Sequence, residues 1–205
     1  MVSFLTTCKA FAGPTGRAQV RAIENWLTVC PGAEVLIFGR SEGLEESVGG
    51  LQGVRVCDVR TSDSGAPFFD ALAEQARLDA RHDIQVYANA DILFPPDFGR
   101  FLKGVPEGPL LIVGQRVDLS EQAHFDGGDY YASLERVLAG REAEVHRPSG
   151  MDYFIFRRGL WRGLKPLVAG RGGYDNALVA YGLRAGIPVI DASFAFPVVH
   201  QWHDY

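Results

Sequence analysis

Short apolar runs alternate with helix-like segments along this chain, and that alternation constrains the fold more than any other feature. Residues 2–7, 34–38, 54–59, 84–88, 110–113, 153–156, 187–190 and 194–199 read as strands, several of them apolar without a break. A strand apolar on both sides must be covered on both faces, as in a mostly parallel sheet flanked by helices. Between the strands, Val20, Ile23, Leu27 and Cys30 predict the buried face of a helix that Thr15 caps and Pro31-Gly32 ends. Pro67 opens a second helix with Phe68, Leu72 and Ala76 inward. A short helix is expected around Tyr131, Leu134 and Leu138, and another over residues 174–185, closed by Gly186. Trp26 and Trp161 read as core aromatics. The expectation is an α/β fold in one domain over residues 1–205, with a polar, weakly periodic insertion near residues 118–148.

Composition removes several classes. With 47% hydrophobic and 22% charged residues, the chain is an ordinary globular one, not disordered, collagen-like or coiled-coil. The net charge is -5 and the basic residues are scattered, so no basic stripe for nucleic acid exists. Arg157-Arg158 is too short for a polybasic membrane anchor. No run approaches the roughly 18 apolar residues of a membrane span. Met1 leads directly into an apolar run, so no secretory signal is expected. Cys8, Cys30 and Cys57 are odd in number and widely spaced, which predicts buried thiols in a reducing compartment and a cytoplasmic location.

In open α/β sheets, ligands sit beyond the carboxyl ends of the strands. The polar clusters fall there: Thr6-Thr7, Asp58 with Arg60, Asn89-Ala90-Asp91, Gln115-Arg116 and His200 to His203. A carboxylate placed like Asp91 can hold a divalent cation against two phosphates, or it can cap the turn into Ile92 and the Pro95-Pro96 helix start. His200 and His203 can reach a shared cation, and imidazole suits Mn²⁺ better than Mg²⁺; alternatively they bond backbone or solvent. His82, His124 and His146 read as surface or loop residues. Thr6 and Thr7 can bond a base or ribose, or be ordinary strand threonines. Asp58 and Arg60 suit a base edge and a phosphate, or a loop salt bridge. Arg116 suits phosphate or acceptor contacts, and Trp202 can stack on a sugar or base. Asp175 sits in the first turn of a helix behind Gly170-Arg171-Gly172-Gly173, where the dipole favours an acid in any case. Asp152 can hold sugar hydroxyls or order the Ser149-Gly150 turn. No Walker or dinucleotide glycine motif occurs, Ser149 lacks a nucleophile elbow, and Cys8 has no base near it in sequence.

The segment Tyr87-Ala88-Asn89-Ala90-Asp91-Ile92 resembles the Asp-x-Asp region of GT-A glycosyltransferases and related nucleotide-diphospho-sugar transferases. So do Gly150-Met151-Asp152-Tyr153-Phe154, the run from Gly170 to Asn176, and the tail His200-Gln201-Trp202-His203-Asp204-Tyr205. In this order they are similar to a bacterial group of glycosyltransferase-like proteins of mostly unassigned substrate, over nearly the whole chain. The resemblance implies a GT-A-like, Rossmann-like fold that binds a UDP- or GDP-type sugar. It implies Mn²⁺ or Mg²⁺ on Asp91 and one of His200 and His203, with Thr6, Thr7, Asp58, Arg60 and Asn89 toward the nucleotide. Asp175, ahead of Asp152, would be the base of an inverting transfer to a sugar, lipid or protein acceptor. One departure is plain: Asn89 stands where the first Asp of the motif would be, leaving one firm carboxylate ligand. Two other readings stay open. One is a nucleotidyltransferase or nucleotide-sugar hydrolase on the same fold. The other is a nucleotide-sugar-binding protein whose catalytic site has decayed.

Overall fold

The computed structural model describes residues 1–125, 128–148 and 150–203; Ser149 and the Asp204-Tyr205 end of the tail motif lie outside them. A seven-stranded sheet carries β1 (Val2–Thr6), β2 (Glu34–Phe38), β3 (Val54–Cys57), β4 (Ile84–Ala88), β6 (Leu111–Val113), β9 (Tyr153–Arg157) and β10 (Val189–Asp191). Their order is β10-β6-β9-β4-β1-β2-β3. Every pairing is parallel except those of β9, which runs antiparallel to both β4 and β6. A second sheet, in the order β5-β11-β7-β8, holds β5 (Ile92–Leu93), β7 (Arg116–Leu119), β8 (Ala143–Val145) and β11 (Val198–His200).

The unbroken apolar strands are explained by cover on both faces. Successive side chains of a strand point to opposite faces. Phe4, Val35, Ile37 and Val86 therefore join one core cluster, and Leu5, Leu36, Phe38 and Tyr87 join the other. Helix α1 (Gly13–Val29) covers the first face with Ala22, Ile23 and Trp26, and the short α2 (Leu44–Val48) adds Leu44 and Val48. Helices α3 (Phe69–Asp79) and α6 (Tyr174–Arg184) cover the second. Trp26 is fully buried, stacks on Phe4 at 5.1 Å and donates its indole N–H to Ile92 O at 2.8 Å. Asn25 bonds both N–H and C=O of Phe94, so α1 fixes the chain immediately after Asp91.

Several local expectations shift. Helix α1 begins at Gly13 with Ala12 as a cap lacking any side-chain bond, so Thr15 lies inside the helix. Its buried stripe runs through Ala22, Ile23, Trp26 and Cys30, while Val20 and Leu27 are only half-buried. Trp26 is the bulkiest of these and sets the rotation of the helix. In the second helix Phe69, not Phe68, is the inward residue; Phe68 is the N-cap position. Residues 118–148 contribute β8 and α5 (Tyr130–Ala139), with Tyr130, Leu134 and Val137 inward. Tyr130 donates toward Leu93 O and Pro197 O, tying α5 to both β5 and the approach to β11. The expected strand over 194–199 is only β11, and Phe194 is almost fully exposed. Cys30 is buried, Cys8 and Cys57 are half-buried, and all three are free thiols. Among the described residues, no helix is long and apolar enough to cross a membrane.

Candidate active site

A cleft of about 580 Å³ opens at the carboxyl ends of β1, β2 and β4. Thr7, Cys8 and Lys9 line it after β1, and Gly39, Arg40 and Ser41 after β2. The turn of residues 64–67 and the glycine-rich run 169–173 supply further lining, as do Asn89, Asp91, Arg116, Asp152 and His200. Arg171 donates to Ser64 Oγ at 2.7 Å, joining those two loops.

Asp91 does not cap a helix. The next helix, α4 (Phe98–Lys103), starts beyond it with Asp97 at the cap position. Its carboxylate instead faces both tail histidines, with Oδ2 2.9 Å from His203 Nε2 and 3.4 Å from His200 Nε2. The pairing of β11 with β5, His200 opposite Ile92, brings the tail to the turn, and Gln201 N–H bonds Asp91 O at 3.1 Å. Asp91, His200 and His203 offer ligand atoms that all lie within 4.8 Å of one another. Asp91 Oδ1 is buried and has no hydrogen-bond partner among the described residues. A buried acceptor without a partner is costly, and a cation at this position would satisfy it. One carboxylate and two imidazoles also form a donor set suited to a first-row divalent metal. The residues fit a cation.

Burial alone would raise the Asp91 carboxyl, but hydrogen bonds from His200 and His203 outweigh it and hold it well below the usual carboxylate range. Burial pulls the His200 imidazole down, yet bonding to Asp118 and Asp91 pushes it up to about 9. Burial together with the Asp91 charge raises the Cys8 thiol, which keeps it neutral and unfit as a nucleophile.

Asn89 proves to be committed within the protein. Its Nδ2 donates to Asp152 Oδ1, and its Oδ1 accepts from Tyr174 O–H at 3.2 Å. The other Asp152 oxygen is taken by Arg116. Arg116 also donates from Nε to Asp118 Oδ1 at 2.6 Å, and Asp118 contacts both His146 and His200. A continuous polar chain thus runs from Tyr174 through Asn89, Asp152, Arg116, Asp118 and His200 to Asp91. Asp118 and His146 were not among the expected site residues; His146 lies in the loop after β8, as expected, but its ring meets Asp118. The signal lay in the Arg116-Val117-Asp118 alternation, which belongs to a new strand, β7, and not to the end of β6. Burial raises Asp152 despite the opposing Arg116 charge, and that carboxyl sits behind its partners.

The expected nucleotide residues divide. Thr7 lines the cleft. Thr6 does not, because its fully buried hydroxyl is donated to Ala88 O at 2.7 Å between β1 and β4. Asp58 pairs with Arg40 at 2.8 Å, and Arg60 pairs with Asp70 at 2.6 Å and stacks over Phe68. Neither Asp58 nor Arg60 lines the cleft; Arg40, which Asp58 holds, is the residue that reaches it. Asp175 lines the cleft from the first turn of α6, half-buried, and accepts from the N–H of Asn176 at 2.8 Å. Gly173, with φ of 81°, holds the left-handed cap that turns the chain into α6 there.

No protein-family model matches the sequence, and no curated protein matches it. Among solved structures, a mannosyltransferase from Pyrobaculum calidifontis in complex with GDP-Man and Mn²⁺ is similar, with TM-score 0.56 and 14% identity. The likeness covers 98% of this chain and 56% of that one. A Bacillus anthracis protein assigned as a glucose-1-phosphate thymidylyltransferase, in complex with sucrose, gives TM-score 0.53 and 13% identity over 98% of this chain and 89% of its own. The chain shares its overall fold with both of these structures. A mycobacterial protein of TM-score 0.58 and 17% identity covers 100% of this chain, which spans 68% of it. The present chain spans just over half the length of the mannosyltransferase, and at these identities the likeness is one of fold.

Proposed function

We propose that this protein is a glycosyltransferase that moves a sugar from a UDP- or GDP-type donor to an acceptor hydroxyl, with inversion, using Mn²⁺ or Mg²⁺. The observation that carries this reading is the Asp91, His200 and His203 cluster, with a carboxylate oxygen unpartnered among the described residues, at the end of β4 beside a donor-sized cleft. The likeness to a mannosyltransferase in complex with GDP-Man and Mn²⁺ supports the donor class. When bound, the cation would offset the negative charge that builds on the departing diphosphate. Arg40 and Arg171, both on the cleft lining, supply positive charge toward the phosphates. Asp175 takes the proton of the acceptor hydroxyl as that oxygen attacks the sugar from the face opposite the leaving group. Asp152 is less suited to that task, since both of its oxygens are engaged by Asn89 and Arg116.

Titration calorimetry with UDP- and GDP-sugars, with and without Mn²⁺, tests the proposal. Asp91→Ala is expected to abolish metal-dependent donor binding, whereas Asp175→Asn should keep donor binding and lose transfer. Donor binding that survives Asp91→Ala, with its metal dependence intact, sinks the reading. The likeness to a thymidylyltransferase assignment motivates one alternative, nucleotidyl transfer. Release of pyrophosphate from a nucleoside triphosphate and a sugar phosphate would favour it over sugar transfer.

A further inference from the structure

We propose that Asp118 is a positioning residue, clamped by Arg116 and His146, that keeps the Nδ1 proton of His200 and so presents Nε2 to a divalent cation beside Asp91. The inference rests on the metal-assisted reading above and adds the device that orients one of its ligands. It begins with register: β7 and β11 run parallel with Asp118 directly opposite His200. Register partners project from the same face of a sheet. Nδ1 of His200 lies 3.3 Å from Asp118 Oδ1, and Nε2 lies 3.4 Å from Asp91 Oδ2.

An imidazole between two carboxylates needs something to decide which nitrogen retains its proton when a cation arrives. The two carboxylates differ in how firmly they are held. Asp118 receives Arg116 Nε at 2.6 Å on one oxygen and meets His146 Nδ1 at 2.5 Å on the other, so it cannot turn away. His146 is in turn fixed by its own N–H to Arg116 O at 2.9 Å. Its ring packs on Gly150, where an added Cβ would come within 2.2 Å of the imidazole. Asp91 has one oxygen with no hydrogen-bond partner among the described residues, which makes it the carboxylate with capacity for a cation. Nε2 would therefore be the nitrogen that releases its proton to solvent and faces the cation, while Asp118 keeps the proton on Nδ1. An imidazole oriented by a carboxylate on its far nitrogen is a more basic and better-aimed ligand.

The test uses the metal-stripped full chain and Mn²⁺ alone, read by electron paramagnetic resonance or calorimetry. Asp118→Ala is expected to weaken Mn²⁺ binding roughly 10- to 100-fold, the usual loss when such a partner is removed. Asp118→Asn keeps an oxygen that can accept from Nδ1 and should recover much of that loss, which a general packing defect would not. Nitrogen-15 spectra of the metal-free protein in alkaline buffer give a second, metal-independent measurement. The neutral His200 ring should carry its proton on Nδ1 in the wild type and become a mixture in Asp118→Ala. Asp118→Ala binding Mn²⁺ as tightly as the wild type overturns the role of Asp118 and leaves the cation site standing. A wild-type His200 protonated on Nε2 overturns it equally. If the wild type binds no Mn²⁺, the cation site itself is wrong and this inference falls with it.

Discussion

Asn89→Asp would restore the missing acid of the Asp-x-Asp pattern, and it is expected to damage the protein. The side chain at this position lines the cleft, but its amide is already engaged: Nδ2 donates to Asp152, a buried carboxylate. Replacing that donor by an oxygen sets two carboxylates in contact. At about 3 Å and an effective dielectric of about 20, Coulomb repulsion amounts to ~5 kcal/mol. The pair can escape by binding a shared proton, which near neutral pH costs ~4 kcal/mol for an ordinary carboxyl and less once the proton is hydrogen-bonded between two oxygens. Arg116, already on Asp152, offsets a further part. The net destabilisation should be about 2–4 kcal/mol near neutrality. Urea denaturation of the metal-free wild type and variant across the acid-to-neutral range reads it. The pair's folded-state pKa is raised above the unfolded value, so its stability contribution is full below the unfolded pKa, about 4, and is lost as pH rises through the folded pKa. The gap between variant and wild type should therefore close as pH falls. Equal stability at neutral pH, a gap that widens in acid, or tighter Mn²⁺ binding by the variant would each refute the reasoning.

Two further outcomes follow from the packing and charge of the same region. Trp26→Phe removes the indole N–H that satisfies Ile92 O, leaving a buried carbonyl unpaired, and should cost about 1–3 kcal/mol in chemical denaturation. An unchanged unfolding free energy would show that α1 does not anchor the segment after Asp91. The metal-free protein should also lose stability in alkali. His200 is raised to about 9, so its contribution is complete below the unfolded value near 6.5 and disappears as pH climbs through about 9. A melting temperature that falls over that window in the wild type but not in His200→Gln supports the assignment; parallel curves contradict it.

The sheet was legible because burial on both faces writes itself into composition: residues 34–38 and 84–88 are the strands β2 and β4 to the residue. Helix boundaries were less so, since Thr15 looks like a cap and the chain turns helical before it. The meeting of Asp91 with His200 and His203 could be anticipated from a strand-end acid and a histidine pair. Asp118 and His146 were harder: the Arg116-Val117-Asp118 alternation marks a strand, but only the register of β7 against β8 and β11 brings these two residues to His200. Thr6 illustrates the opposite error. A hydroxyl at a strand end looks available, but the parallel neighbour β4 offers Ala88 O and absorbs it. Asn89 likewise looks free in the sequence, yet Asp152 and Tyr174 arrive from distant parts of the chain and engage both ends of its amide.

The place of β11 in the second sheet bears on how this protein is made. It lies between β5 and β7, so β5 has no strand partner and β7 has only β8 until residues 198–200 are inserted. The His203 to Asp91 contact closes a span of 112 positions, a loop whose ends cost ~4 kcal/mol of chain entropy to bring together. A nascent chain can complete β1 through β4 and expose Asp91 long before it owns the imidazoles that complete the site. On the proposed reading, cation affinity would be acquired only when β11 docks, and Mn²⁺ added during refolding should report that docking and not the formation of the main sheet.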